Sequence, residues 1–417
     1  MLKIKFSLKL NSLLISLLFL LNYCNDLPTE LAFGLVYDTI NVYPITSSEV
    51  NFLLFSKNQL FRQNRLNTGV LFCGKSQNIN ALSLIRFGDI PDTLAYVSSD
   101  RIISATLTLR PFRYAFGDTL NGTMGLRIYK VQKLWTISVS WDSLINNDIP
   151  TDYFDLSRVI GQWSGKIQLK DTMDAISIDI DKNLIAEWFK LHSDSLPDFG
   201  IGLLPENYSN VIYSFKEQVA GGINDFRPII KVVYKNKNDN NDSVTFKSAM
   251  GSAFINDSKP DDNSLTIQGS VCYGSQLFFD VSFFPYLTSV HLAELILTLD
   301  PSRSYKGNVP LDSTLSVLLL SGDSVNSDTL RYYYAQRISG TDKFKVSSIA
   351  SAIETWNRGA KKGNLIFLPE GYVNEFQEFE RLVFYGPEEP DSAKKPRLRI
   401  IYSTRPHFDS SNNCKKK

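Results

Sequence analysis

The chain has 417 residues, 43% hydrophobic and 21% charged, with a formal net charge of +1. That mixture excludes a disordered chain, and the balanced charge excludes a basic nucleic-acid-binding protein as the default, leaving a globular protein of two or three domains. Three histidines in all leave little for a histidine-based catalytic apparatus.

The chain opens with Lys3, Lys5 and Lys9 ahead of the apolar run "LLISLLFLL" (Leu13 to Leu21). The run is too short to cross a bilayer comfortably and has the form of an export signal. Its end resembles the lipobox of bacterial lipoproteins, with Leu21 three places before Cys24. Asn22 and Tyr23 depart from the usual small residues there. The expectation is a signal peptide at 1–23 and lipid attachment at Cys24, giving an exported protein, periplasmic or at the cell surface, held to the outer or cell membrane by acyl chains. A cleaved secretory peptide with an incidental Cys24 is the alternative. Removing 1–23 takes away three lysines and no acids, so +1 becomes −2.

Beyond it, strand patterns dominate. "IISATLTLRPF" (Ile102 to Phe112), "GLRIYKV" (Gly125 to Val131), "FRPIIKVVY" (Phe226 to Tyr234), "AELILTLDP" (Ala293 to Pro301), "STLSVLLL" (Ser313 to Leu320) and "KPRLRIIYS" (Lys395 to Ser403) are rich in β-formers, with Gly, Asn, Asp and Pro between many of them. Only "DKNLIAEWFKLHSD" (Asp181 to Asp194) and "SSIASAIETWNRG" (Ser347 to Gly359) carry helical spacing after a residue able to cap. Asp171, Asp174, Asp179 and Asp181 cluster around the first helix start, where caps and turns account for them. The helical tryptophans, Trp188 and Trp356, are expected on the apolar face against the core.

The two helices expose a duplication. After Trp188 come "FGIGLLPENY" and "RPIIKVVY"; after Trp356 come "KGNLIFLPEGY" and "KPRLRIIYS". Leu204-Pro205-Glu206 matches Leu368-Pro369-Glu370, Tyr208 matches Tyr372, and Pro228 matches Pro396. Upstream, "SLIRFGDIP" before "ISATLTLRP" matches "LFFDVSFFP" before "HLAELILTLDP". The expected organisation is a first domain at 33–236, a polar linker at 237–243, a second domain at 244–404 and a disordered tail at 405–417. Many short antiparallel strands with one helix per copy predict an all-β fold, two tandem jelly-roll-like sandwiches. Cys73 and Cys272 sit in apolar runs and read as buried small hydrophobes. Cys414 lies in the tail, and no zinc spacing occurs.

Each copy resembles the DNRLRE domain, a secreted β-sandwich module grouped with alginate-binding carbohydrate-binding modules. The resemblance rests on "LIRF" (Leu84 to Phe87), the strand carrying Ala105, Leu107 and Leu109, and the tryptophan segment Trp135 to Trp141. It continues in the helix start with Ile178, Ile180, Ile185 and Trp188. The closing strand carries Arg227, Pro228, Ile230, Val232 and Tyr234, matched in the second copy by Lys395, Pro396, Leu398, Ile400 and Tyr402. The family's "F-x-S-R-E" passage is weak: "YSFKE" (Tyr213 to Glu217) lacks its arginine. The second copy lacks the tryptophan pair and has "RYYYAQ" (Arg331 to Gln336) nearby. The resemblance implies a non-catalytic module that binds polysaccharide. A structural or adhesion scaffold binding an envelope protein is the alternative.

Sugar recognition needs flat apolar surface with polar groups at its rim. Trp135, Trp141, Tyr129, Tyr153 and Trp163 in the first copy, and Tyr332, Tyr333 and Tyr334 in the second, supply aromatic rings. Arg110, Arg113, Arg127 and Lys130, with Arg331 and Arg337, could pair with the carboxylates of an anionic polymer. Trp135 and Trp141 stand six apart, so an unbroken strand would put both on one face, as a ligand platform or as core. Alternation puts Tyr333 opposite Tyr332 and Tyr334. No GxSxG, HExxH, P-loop or GxGxxG stretch stands out, so no catalytic residue is expected. "NDSKPDDN" (Asn256 to Asn263) offers oxygens for a structural calcium ion, or is a solvated loop. No other cofactor is expected.

Overall fold

The computed structural model describes residues 42–60, 69–77, 79–136, 138–169, 175–217, 225–261, 263–270, 273–285, 288–322, 328–371, 378 and 380–404. The expected signal 1–23, Cys24, Asp171, Asp174, Cys272, Tyr372 and the tail 405–417 with Cys414 lie outside the described residues.

The elements in chain order begin with β1 (Val42–Thr46), β2 (Leu53–Leu60), β3 (Val70–Ser76), β4 (Ile79–Gly88), β5 (Ile102–Leu109), β6 (Pro111–Gly117) and β7 (Met124–Lys130). Then come α1 (Trp141–Leu144), β8 (Ile145–Asn146), β9 (Ile149–Pro150), β10 (Gly161–Gly165), β11 (Ile176–Asp179) and α2 (Lys182–Ser193). β12 (Ile201–Pro205), β13 (Val211–Lys216), β14 (Ile229–Lys235) and β15 (Asn241–Asn256) follow. The remainder is β16 (Ser264–Gln268), β17 (Tyr273–Asp280), β18 (Thr288–Thr298), β19 (Thr314–Leu320), β20 (Thr329–Arg337), β21 (Lys343–Val346), α3 (Ala350–Arg358), β22 (Lys362–Pro369), β23 (Arg381–Tyr385) and β24 (Arg397–Thr404). No helix among the described residues is long and apolar enough to cross a membrane.

The protein is all-β, built on two eleven-stranded antiparallel sheets. In the first, β10-β7-β12-β4 and β14-β5-β11 are joined by β15, which pairs with β14 at its start and β4 at its end. The inward residues of both strand sets meet in one cluster: Leu126, Ile128, Leu203 and Ile85 from one, Leu107, Leu109, Ile230 and Val232 from the other. A sheet folded over its own core in this way is a sandwich. The second sheet repeats the order as β20-β19-β22-β17 and β24-β18-β21, with its own cluster around Leu277, Leu295, Val317, Leu365 and Leu398.

Both expected helices form. Asp181 caps α2 by accepting the Asn183 N–H at 2.8 Å, and α3 ends at Gly359. Their tryptophans are core, as the spacing predicts. Trp188 lies 5.8 Å from the Phe87 ring, and Trp356 stacks on Phe279 at 5.0 Å. Ile85 pairs with Ile201 and Leu277 with Leu365, each partner standing three residues before the leucine of Leu-Pro-Glu, so Phe87 and Phe279 occupy matching places in the register and the likeness of the two halves extends to side-chain packing. Cys73 is fully buried, and burial pushes its thiol far above the usual range.

Two expected boundaries do not follow the hydrogen bonding. The stretch 237–243 does not link domains. It makes the hairpin from β14 to β15, in which Asn236 Oδ1 accepts the N–H groups of Asn238 and Asn240. The second correction is larger: β1 and β2 pair not with the first sheet but with β24 and β17 of the second. They take there the place β15 takes in the first. The first sandwich therefore runs continuously over 70–256, and the second is assembled from 42–60 and 264–404. The sandwiches meet at β6, where Asn308 imitates a strand residue. Its N–H donates to Ala115 O at 2.9 Å, and its side-chain oxygen accepts the Ala115 N–H at 2.8 Å.

Glu217, the acid of "YSFKE", is 1% exposed, and its Oε2 has no hydrogen-bond partner among the described residues. Gly251 leaves room for it, since a Cβ there would stand 2.6 Å from Glu217 Cγ. Burial pushes the carboxyl from 4.5 up to about 7. A raised value in the fold means the protonated acid favours folding, so the stabilisation is complete below the unfolded value and is lost as pH rises through the folded one. Over that window the loss is about 3 kcal/mol. The melting temperature should fall between pH 4.5 and 7.5, and Glu217→Gln should flatten that fall in a thermal denaturation series.

Candidate functional site

Alternation along β7 turns Leu126 and Ile128 to the core and leaves Arg127 and Tyr129 on the outer face. β12 likewise presents Leu204 outward, and β4 presents Leu82 and Leu84. Such an apolar outer face would cost free energy in water. Residues 131–160, between β7 and β10, fold back over it. Val131, Trp135, Val139, Leu144 and Phe154 form one cluster with Leu82, Leu84, Tyr129, Leu204 and Phe254. Gly202 permits the contact, because a Cβ there would stand 2.4 Å from the Phe154 ring.

The two tryptophans do not share a strand. Trp135 lies in irregular chain and is 1% exposed, with its Nε1–H donating to Phe199 O at 2.9 Å. It is core, and the expectation that it is a ligand-binding residue is withdrawn on that ground. Trp141 begins α1 behind a Ser140–Ser143 capping box and stays half-buried. Its indole lines a groove of about 270 Å³.

Leu82, Tyr129 and Leu204 make the groove's floor, while Trp141, Ile145 and Leu156 make its apolar wall. Lys75, Asn80, Arg127, Asp148, Glu206 and Asn207 supply its polar lining. Arg127 Nε lies 2.5 Å from Glu206 Oε1, and Lys75 Nζ donates to Asn207 Oδ1 at 2.7 Å. The Tyr129 hydroxyl and the Glu206 carboxylate raise the Arg127 pKa above its ordinary value, so it stays charged. Two bases, Lys75 and Arg127, face two acids, Asp148 and Glu206. Of the sequence candidates, Arg127, Tyr129 and Trp141 come together here. Lys75, Asp148, Leu156 and Glu206 were missed. The one signal for Glu206 was the repeated Leu-Pro-Glu, read only as a marker of duplication.

The other candidates are elsewhere. Tyr153 packs on the Trp135 cluster, with the Lys133 ammonium 5.5 Å from its ring centroid. Trp163 packs against the inner core. Lys130 is paired with Glu187, and Arg337 with Asp342 at 2.9 Å. Among the described residues of the second sandwich no segment like 131–160 lies between the matching strands β19 and β20. Tyr332 and Tyr334 are 69% and 53% exposed, whereas Tyr333 turns inward to Ser351 Oγ at 2.8 Å. Arg331 is exposed but registers with buried Leu319, on the side opposite the two tyrosines. In "NDSKPDDN" the Asp257 carboxylate is held within the protein: its Oδ2 is engaged by Arg381, Gln268 and Tyr305, and its Oδ1 accepts the Ser258 N–H at 2.6 Å. Asp262 lies outside the described residues, and no group of three or more His, Cys, Asp or Glu able to hold a metal occurs among those described.

No family model matches the chain, and no curated protein does. Among solved structures, the C-terminal domain of the AgI/II polypeptide BspA of Streptococcus agalactiae is similar at 9% identity. The match covers 80% of this chain and 86% of that one, with a TM-score of 0.14. A protein of Parabacteroides distasonis is similar at 9% identity over 86% of this chain and 91% of its own, with a TM-score of 0.18. TM-scores this low relate neither fold nor function.

Proposed function

We propose that the protein is an exported, lipid-anchored, non-catalytic β-sandwich protein that binds polysaccharide in the groove beside Trp141. The observation that carries this reading is the groove's construction. A half-buried indole, Leu156 and Leu204 give apolar surface for a sugar face, and the polar lining gives donors and acceptors for hydroxyls. Its charge balance favours a neutral polymer over the anionic one the arginines first suggested. Glu206, held by Arg127, is poorly placed to be the protonated acid a glycosidase needs. The order of DNRLRE-like motifs and the export signal are in keeping with this reading.

Retention in gels carrying neutral and anionic polysaccharides is the test. Trp141→Ala should fold and bind about tenfold or more weakly. Unchanged retention in that variant would remove the groove from the account. The exposed Tyr332 and Tyr334 favour a second reading for that face, docking of a protein partner, because both rings stand open to solvent on one face of β20. Retention lost on Tyr332→Ser with Tyr334→Ser but kept in Trp141→Ala would instead give that face to sugar.

A further inference from the structure

We infer that the strand pair 42–60 is exchangeable, and that the groove between β17 and β24 accepts the same strands from a second copy of this chain. In the first sandwich the closing strand, β15, is tied to its neighbour β14 by the short turn at 236–240. In the second the equivalent strands have no such tie. Thr46 registers with Arg399 and Leu60 with Tyr273, partners separated from them in sequence by the whole first sandwich. The groove recognises backbone pairing and the buried Phe52 and Leu53, which a second copy presents identically. Exchange of an identical element is a low-cost route to a dimer. The covalent connection raises the local concentration of the chain's own strand, so exchange needs concentrated refolding and not simple mixing.

The exchanged form closes as a dimer and does not grow into fibres. Among the described residues β1 is an edge strand, paired with β24 alone. Ser47 N–H donates to Leu398 O at 2.9 Å, so hydrogen-bonded pairs fall at odd positions of β1. Val42 and Pro44 then aim their backbone groups at the free edge, while the Thr46 N–H donates to Glu49 and its carbonyl accepts the Glu49 and Val50 N–H groups. Pro44 has no N–H to offer there, which blunts the edge against a further strand.

The test uses cysteines across that register. A full-length chain carrying both Thr46→Cys and Arg399→Cys should form an internal disulfide at low concentration. Chains carrying Thr46→Cys alone and Arg399→Cys alone are then unfolded together and refolded at high concentration under oxidation. Disulfide-linked dimers, rising with refolding concentration and missing when folded chains are merely mixed, are the expected result. An internal link in the double variant, with no linked dimer from the mixture at any concentration, overturns the inference. If the double variant does not fold, Pro44→Cys with Ile401→Cys gives the same reading at the next non-hydrogen-bonded pair.

Discussion

Deleting residues 42–60 should unfold the second sandwich and leave the first intact. The segment supplies a strand to each layer around β17 and β24 and buries Phe52 and Leu53, which are 0% and 5% exposed. Phe52→Ala alone should cost about 3–5 kcal/mol. Loss of the whole segment also leaves the edges of β17 and β24 unpaired, which together rivals the total stability of a domain, about 5–15 kcal/mol. The first sandwich closes on its own strand β15 and has its own core, so it loses only its contacts at β6, the Asn308 hydrogen bonds and the packing of Tyr114 and Phe116 on its outer face against Tyr305 and Val309. Limited proteolysis of the truncated chain should leave a resistant fragment spanning about 70–256, while 264–404 is digested. Protection of 264–404 without 42–60 would show that the second sandwich closes without the strand.

The second large effect separates the two tryptophans of the insert. Trp135→Ala empties the centre of the Leu82, Tyr129 and Phe254 cluster and leaves Phe199 O without its donor. A loss of about 3–5 kcal/mol is expected. Residues 131–160 would then lift from the sheet, so sugar binding is lost with the fold of the insert. Trp141→Ala removes a half-buried ring from a groove wall and should cost about 1 kcal/mol of stability while abolishing most binding. Urea denaturation of both variants beside their retention in polysaccharide gels distinguishes the two roles. Equal destabilisation by both would make Trp141 packing and not platform.

These contrasts also mark what the sequence could carry. The helices at Trp188 and Trp356, the closing strands and the duplication were legible because each is encoded locally, by spacing, caps and alternation. The strand exchange was not. "VYPIT" and "LLFSKNQL" state that they are strands, but nothing local names partners on the far side of an entire sandwich. "KNKNDNNDS" has the composition of a linker, yet Asn and Asp suit a hairpin turn for the same reason, their side-chain hydrogen bonds to nearby N–H groups. Arg127, Tyr129 and Trp141 were legible as site residues from alternation and aromatic content. Trp135 was misplaced because the strand ends at Lys130, so the even spacing to Trp141 had no strand to act on. Glu206 and Lys75 reach the groove from strands distant in sequence.

The central claim is that sugar lies against Trp141, and the most direct measurement is the indole N–H region of the NMR spectrum during titration with oligosaccharides of a retained polymer. The chain has five tryptophans, and Trp141→Phe assigns the signal of interest by its disappearance. One indole signal, that of Trp141, should shift saturably, while the signal of Trp135, held at Phe199 O, stays in place. A Trp141 signal that does not move while the protein is retained by the polymer would contradict the account and send the search to Tyr332 and Tyr334.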